Sequence, residues 1–511
     1  MERTSSVHLL KNVQAPDSRN SLQKDHLDKR ERKAALGQFL TPTPVADLMA
    51  SFFDQKRKDI ELLDAGAGKG ALTEAFVRNQ CARSAKPKRI TVTAYEIDEF
   101  LVNALHTTLV RCEQECETSD IEFSFQIRNE DFVLSAAESI RGGLFAPQTL
   151  QFTAAIANPP YRKIQSDSST RANLRTAGIE TSNIYAGFLA LIIKLLCLGG
   201  ELVTITPRSF CNGPYFKPFR SFVLENISLQ RLHVFESRSA AFKEEQVLQE
   251  NVIIHAVRGA TTPRSILISN SSGRAGGAVR ERMVVSEDVV SPSDTEKFIH
   301  LPLSEDETRS TPPLHTLPSS LTDLGLKIST GRVVDFRARR YLRENPEENT
   351  VPLIYPCHFD NGFVKWPKAD SRKPNAIVDT QNTRELLVPA GIYVLVKRFS
   401  AKEEPRRIIA AIYDANQFKA PRVGFENHLN YFHIAGSGLP MSMAKGLTAF
   451  LNSTAVDKYF RRFSGHTQVN AADLRSFRYP TRERLEQLGS RLGDLKISQQ
   501  ELDDLVRKDL F

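Results

Sequence analysis

The sequence predicts a doubly wound α/β sheet of mostly parallel strands, followed by a smaller α+β domain. Three observations carry this expectation. Between about residues 43 and 258, seven nearly continuous apolar runs, several rich in Val, Ile and Thr, alternate with helical patterns. Parallel strands covered on both faces read this way, and strand–helix alternation is what a doubly wound sheet requires. From about 259 to 320 the chain is rich in Ser, Thr, Pro and Gly with little periodicity, as in a connector with room for one or two strands. From 321 onward a mixed pattern resumes and closes in helical segments over 483–509. The expected division is a polar segment (1–35), a sheet domain (36–260), a linker (261–320) and a second domain (321–511), and 511 residues suffice for two or three cores.

Each element follows in order. "PTPVADLMASFF" (42–53) is a helix opened by prolines, and "IELLDA" (60–65) is the first strand. "GALTEAFVRN" (70–79) is an amphipathic helix, and "ITVTAYE" (90–96) and "IEFSFQI" (121–127) are the next strands. The fourth, "FTAAIA" (152–157), stops at Asn158-Pro159-Pro160-Tyr161, because proline cannot donate to a ladder and fixes its own φ. The most apolar stretch, 184–207, carries Lys194 and breaks at Gly199-Gly200, so it reads as a buried helix followed by a strand, "ELVTIT" (201–206), rather than a membrane span. "LQRLHVFE" (229–236) and "NVIIHAV" (251–257) complete seven.

Composition narrows the class. At 41% hydrophobic and 25% charged residues the chain is an ordinary globular protein. The first thirty-five residues are polar, with no apolar core before a cleavage site, so no secretory signal is expected. Of six cysteines only Cys112 and Cys116 lie one helical turn apart, and no second Cys/His pair has zinc-ligand spacing. Reduced thiols and no metal are the expectation. The net charge of +8 is localised: residues 321–511 hold 30 Lys/Arg against 22 Asp/Glu, leaving 38 against 38 for residues 1–320. A basic C-terminal part suits a polyanionic partner, although a mildly basic surface is also common.

Chemistry concentrates at the strand ends. "LLDAGAGKGALTEAF" (62–76) sets Asp64 before Gly66, Gly68 and Gly70, which allow close approach of a ligand to backbone. The spacing fits neither a phosphate loop nor a dinucleotide fingerprint, and the acid suits a ligand bearing an ammonium group. Glu96 ends the second strand, where a carboxylate accepts from ribose hydroxyls. Asp131-Phe132 after the third offers a partner for an exocyclic amine and an aromatic face. Each acid alone also fits a solvated loop or a helix N-cap. Together they outline a pocket for an adenosine with a charged amino-acid tail. At the fourth strand end, Asn158 and the Pro159 carbonyl are two acceptors for one amino group, and Tyr161 is a flat face for a heteroaromatic ring.

Asn158-Pro159-Pro160-Tyr161 resembles the N-P-P-Y motif of amino-methyltransferases, and the surrounding order is similar to that of gamma-class type II DNA adenine-N6 methyltransferases of bacterial restriction–modification systems. The matching segments are "LGQFLTP" with Thr41, "DAGAGKG" (Ala65 standing where proline is commoner), Glu96, Asp131-Phe132 and N-P-P-Y. The resemblance implies a seven-stranded S-adenosylmethionine-dependent catalytic sheet with a C-terminal target-recognition domain. It implies that Thr41, Asp64, Gly66, Gly68, Glu96, Ile97, Asp131, Phe132 and Asn158 bind S-adenosylmethionine, and that Asn158, Pro159, Tyr161 and Phe242 act at a flipped adenine. "RRFSGHTQVNAADLRSFRYP" (461–480) is similar to a stretch of the recognition domains, where Gln468 and Asn470 suit adenine and Arg475 guanine or phosphate. Arg332, Arg337, Arg339 and Arg340 suit phosphates.

The implied partners are double-stranded DNA, with a palindromic six-base site such as CTGCAG, and a cognate restriction endonuclease on a separate chain. The protein is expected to be a cytoplasmic monomer without a membrane segment. "YPCHF" (355–359) and "QENV" (249–252) imitate a cytosine-C5 enzyme, but in the reverse order for that chemistry. Rival readings are an N-methyltransferase of RNA adenine or protein glutamine, a cytosine-N4 enzyme, and a non-catalytic DNA-binding specificity subunit. The basic C-terminal part favours DNA over the first pair, and intact Asp64, Asn158 and Tyr161 oppose the last.

Overall fold

A computed structural model describes residues 40–142, 151–235, 250–272, 278–302 and 314–511, apart from 55, 293, 370, 401–403, 465–466 and 494. The chain divides into two compact units, with the boundary between Leu195 and Leu196.

In the first unit the elements are α1 (Thr43–Ala50), β1 (Asp59–Ala65), α2 (Ala71–Cys81), β2 (Arg89–Tyr95), α3 (Glu99–Glu117), β3 (Glu122–Arg128), α4 (Phe132–Arg141), β4 (Phe152–Ala157), α5 (Ser169–Thr176) and α6 (Ile184–Leu195). The strands run in the order β3-β2-β1-β4, all pairing in parallel. Such pairing demands crossover connections, and the intervening helices supply them. β1, β2 and β4 end in four successive buried residues each, so their carboxyl ends sit in the core. α6 is buried at every position except Lys194, which explains its apolar character all round.

The second unit opens with β5 (Leu196–Pro207), α7 (Lys217–Asn226), β6 (Ile227–Phe235), β7 (Asn251–Arg258), β8 (Ser265–Ser271) and β9 (Arg280–Val285), the strands in the order β5-β7-β6-β8-β9. β7 is antiparallel to both neighbours. All seven expected strands are therefore present. β5 starts immediately after α6, and the expected break at Gly199-Gly200 lies inside the strand, with Gly199 at φ +72°. The stretch read as a connector holds β8 and β9; β8 pairs in parallel with β6, and β9 is antiparallel to β8.

Two further sheets, of six and five strands, and seven α-helices follow among the described residues of the same unit. Buried Arg208, just past β5, pairs with Glu250 at 3.2 Å and donates to the Arg462 carbonyl at 2.9 Å. Arg220, fully buried, donates to the carbonyls of Phe210, Gly213 and Glu296. These charge-assisted bonds bind β5 and α7 to the chain that follows. Among the described residues no helix is long and apolar enough to cross a membrane.

Candidate active site

Strand register sets the first unit's four carboxyl ends level: Ala65 pairs with Tyr95, Tyr95 with Arg128, and Asp64 with Ile156. β1 and β4 are the neighbours at which the strand order reverses, the place where open α/β sheets take ligands. An open cleft lies there, lined by residues that follow each of the four strands.

The glycine segment forms its floor. Gly66, Gly68 and Gly70 all have positive φ, at +80°, +59° and +86°. The Gly66 and Ala67 amides both donate to the Tyr95 carbonyl, at 3.0 and 2.8 Å, which folds the segment across the end of β2. A Cβ at Gly68 would stand 3.2 Å from Leu40 Cδ2, so the backbone approach needs glycine. Gly70 then enters α2 in the left-handed region, where glycine escapes the Cβ penalty.

Asp64 does not line the cleft. It is fully buried; Oδ2 accepts from the Thr73 hydroxyl at 2.7 Å, and Oδ1 has no hydrogen-bond partner among the described residues. Burial pushes its carboxyl up to about 7, the Thr73 hydroxyl opposes the rise, and Glu96 adds to it. Glu96 does line the cleft. Its oxygens accept from the Gly68 and Asp98 amides, both at 2.8 Å. Burial raises its pKa, against the pull of those two N–H groups.

Asp131 is a helix cap that also lines the cleft. Its Oδ1 caps α4, accepting from the Val133 and Leu134 amides at 2.8 and 3.4 Å, while the residue lines the cleft. Phe132 is 3% exposed, edge-on to Tyr95 at 5.1 Å and tilted to Phe188 at 5.0 Å. Ile97, 48% exposed, supplies an apolar rim. Carboxylates at 96, 130 and 131, aromatic faces at 95, 132 and 188 and an apolar rim suit a ligand with hydroxyls, an amine and a heteroaromatic ring. The unpartnered Asp64 oxygen suits positive charge.

The corner after β4 is held from both sides. Asn158 Nδ2 donates to Thr41 Oγ1 at 3.0 Å, and Asn158 Oδ1 accepts from the Tyr161 hydroxyl at 2.8 Å. Pro159 is buried and Pro160 lines the cleft. Tyr161 meets Tyr185 edge-on at 6.2 Å, and burial holds its phenol well above the ordinary range. Thr41, Asn158 and Tyr161 are thus brought into one cluster at the cleft that Glu96 and Asp131 line. Phe242 and residues 36–39 of "LGQFLTP" lie outside the described residues. Sequence reasoning missed Leu40, Phe188 and Arg162, all of which line the cleft.

The residues assigned to DNA contact divide. Arg332, Arg337, Arg339, Arg340 and Arg475 are exposed; Arg332 donates to the Glu385 carbonyl at 3.1 Å, and Arg340 lies over Tyr341. Asn470 is instead a helix cap. A capping box with Asp473 opens the helix Ala471–Ser476, and the Asn470 backbone N–H donates to Asp473 Oδ2 at 2.7 Å. Among the described residues no group of three His, Cys, Asp or Glu could hold a metal ion.

Comparison with known proteins gives consistent matches. The Eco57I restriction-modification methylase family matches residues 89–242. Type II methyltransferase M.PstI of Providencia stuartii is 43% identical over 94% of this chain and 93% of its own length. Type II methyltransferase M.BsuBI of Bacillus subtilis is 45% identical over 90% of both. Among solved structures, a nuclease-deletion mutant of the type ISP restriction-modification enzyme LlaGI in complex with a DNA substrate mimic aligns over 94% of this chain and 57% of its own, at 11% identity and a TM-score of 0.47.

Proposed function

The chain belongs to the type II methyltransferases of restriction–modification systems, and from that membership we propose that it methylates N6 of an adenine flipped out of double-stranded DNA. The observation that carries the choice of an exocyclic amine is the Asn158 corner, an amide oxygen fixed beside an aromatic ring. Asn158 Oδ1 and the Pro159 carbonyl accept the two amino protons, which leaves the nitrogen lone pair free to act as the nucleophile. Tyr161 stacks on the base, at about 1–3 kcal/mol, against a flipping cost of roughly a few kcal/mol. Phe242 is assigned the second face of the base. S-adenosylmethionine supplies the electrophilic methyl group. Thr41, Asp64, Gly66, Gly68, Glu96, Ile97, Asp131 and Phe132 are assigned to hold it: Glu96 at the ribose, Asp131 and Phe132 at the adenine, and Asp64 as the buried carboxyl toward its cationic end. Orientation in the cleft accounts for much of the acceleration.

Residues 36–260 are read as the catalytic domain and 321–511 as the recognition domain, whose surplus of eight positive charges faces phosphate. Arg332, Arg337, Arg339, Arg340 and Arg475 are assigned to the backbone. The enzyme works as a cytoplasmic monomer and protects its site from a cognate endonuclease carried on a separate chain. The test is to incubate the purified protein with unmethylated duplex DNA and S-adenosylmethionine, digest to nucleosides and measure methylated bases by mass spectrometry. N6-methyladenine that disappears with Asn158→Ala is expected. N4-methylcytosine would overturn the base assignment, and methylation of RNA or of protein glutamine alone would overturn the substrate.

A further inference from the structure

Four chain segments of the second unit converge at the end of the strand Ile392–Lys397, and the residue at their centre is Arg398. Its backbone amide donates to the His428 carbonyl at 2.8 Å, and its carbonyl accepts from the Val469 amide at 2.7 Å. Its guanidinium is held as well: Nη1 donates to the Asn427 carbonyl at 3.1 Å, and Nη2 reaches Gln468 Oε1 at 3.5 Å. The Asn427 amide in turn donates to the Val333 carbonyl, which ties in the segment bearing Arg332 and Arg337. Phe399, 36% exposed, lies tilted against His428 with ring centres 4.7 Å apart, and His428 Nδ1 bonds the buried Glu426 carboxylate at 2.5 Å.

We propose that Arg398 is a specificity-determining residue that reads a guanine, and that Gln468 positions it. The proposal rests on the DNA-methylation reading above. A long cationic side chain at a surface normally loses its rotamer freedom on binding; this one is already fixed through two of its terminal nitrogens, the preorganisation that a base-reading side chain needs. What the pair presents outward is chemically one-sided. Gln468 turns its oxygen to Arg398, so its remaining groups are the amide N–H donors, and the guanidinium carries donors only. An all-donor edge complements guanine, whose major-groove edge offers two acceptors, N7 and O6. Adenine offers a donor and an acceptor, and a side-chain amide needs both of its halves to read it. Gln468 therefore acts through Arg398 instead of reading adenine itself.

The test begins with the wild-type enzyme. Its methylated sites on plasmid DNA are mapped by sequencing that detects the methylated base, and kcat/KM is then measured on duplexes carrying each single base-pair change. Arg398→Ala and Arg398→Lys are both expected to lose about 5- to 150-fold of discrimination at one and the same guanine position, since lysine keeps the charge but not the fork. Gln468→Ala is expected to relax that guanine position, leaving every adenine position as selective as before. A uniform loss across all duplexes with a shallower salt dependence would make Arg398 a phosphate contact and overturn the proposal. So would unchanged discrimination in Arg398→Lys, relaxation at an adenine position in Gln468→Ala, or a recognition sequence without guanine. A wild-type protein that methylates no DNA would overturn the function proposed above, a separate failure visible before any variant is made.

Discussion

Replacing Asp64 by asparagine tests the electrostatics of the cleft without touching DNA. The carboxyl is fully buried with one unpartnered oxygen, and its pKa is about 7 against an ordinary 3.8. A raised folded-state pKa means that the folded protein holds the proton more tightly than the unfolded chain. The stabilisation is complete below about pH 4 and is lost as pH rises through 7. At about 1.4 kcal/mol per unit, the gap of about three units caps the effect near 4 kcal/mol, of which roughly 2–3 falls between pH 5 and 8. Asparagine keeps an acceptor for the Thr73 hydroxyl but buries N–H donors without a partner, a pH-independent cost of about 1–3 kcal/mol. The variant should therefore be the less stable protein at pH 5 and gain on the wild type by roughly 2–3 kcal/mol by pH 8. Asp473, also raised to about 7, titrates in both proteins and cancels in the difference. Hydrogen exchange of the β1 amides, corrected for intrinsic rates, reads the opening free energy of this part of the chain. A stability difference that stays flat from pH 5 to 8 would refute the assignment of a desolvated, proton-holding carboxyl.

Three other perturbations follow from the same geometry. Gly68→Ala places a side chain at φ +59° and 3.2 Å from Leu40, so S-adenosylmethionine affinity in calorimetry should fall about 5- to 30-fold, the equivalent of 1–2 kcal/mol of left-handed strain. Tyr161→Phe keeps the ring but removes the bond to Asn158, and should lower kcat about tenfold; Tyr161→Ala also loses stacking and should lower kcat/KM for DNA by about 5- to 150-fold. If kcat/KM is the same in both variants, the ring does not stack on the base. Alanine at Arg337, Arg339 and Arg340 together should weaken binding equally for all duplexes and reduce the log–log salt slope by about 1 per lost phosphate contact, measured by fluorescence anisotropy.

Much of the site was legible because parallel α/β topology ties function to strand ends. β4 was readable to its last residue, since a run of apolar residues met two prolines that no ladder accepts. The acids at 64, 96 and 131 followed from the same rule, although only the structure separates the buried carboxyl of Asp64 from the cleft-lining pair. Phe188 was hidden by its own helix: where eleven of twelve residues are buried, no periodicity marks Ile184 and Phe188 as the ones that face the cleft. The capping position of Asn470 went unforeseen because capping and base reading favour the same side chain. The Asp three positions later was the available signal for a capping box. β8 and β9 were obscured by the Ser-, Pro- and Gly-rich segments around them. Arg398 carried no local signal at all; its environment is assembled from segments that are far apart in the chain.

The bond between Thr41 and Asn158 has a consequence for when the enzyme comes into being. Its two ends are 117 residues apart, with β1, β2, β3 and β4 between them. At a synthesis rate of about 5–20 residues per second, Thr41 waits several seconds or more for its partner to leave the ribosome. Loop closure over such a span forms late, after the local helices and neighbouring strands. A nascent chain, or one cut short before β4, therefore has the parts of a cofactor cleft but no braced amide. On the function proposed above, reactivity therefore waits for the completed corner.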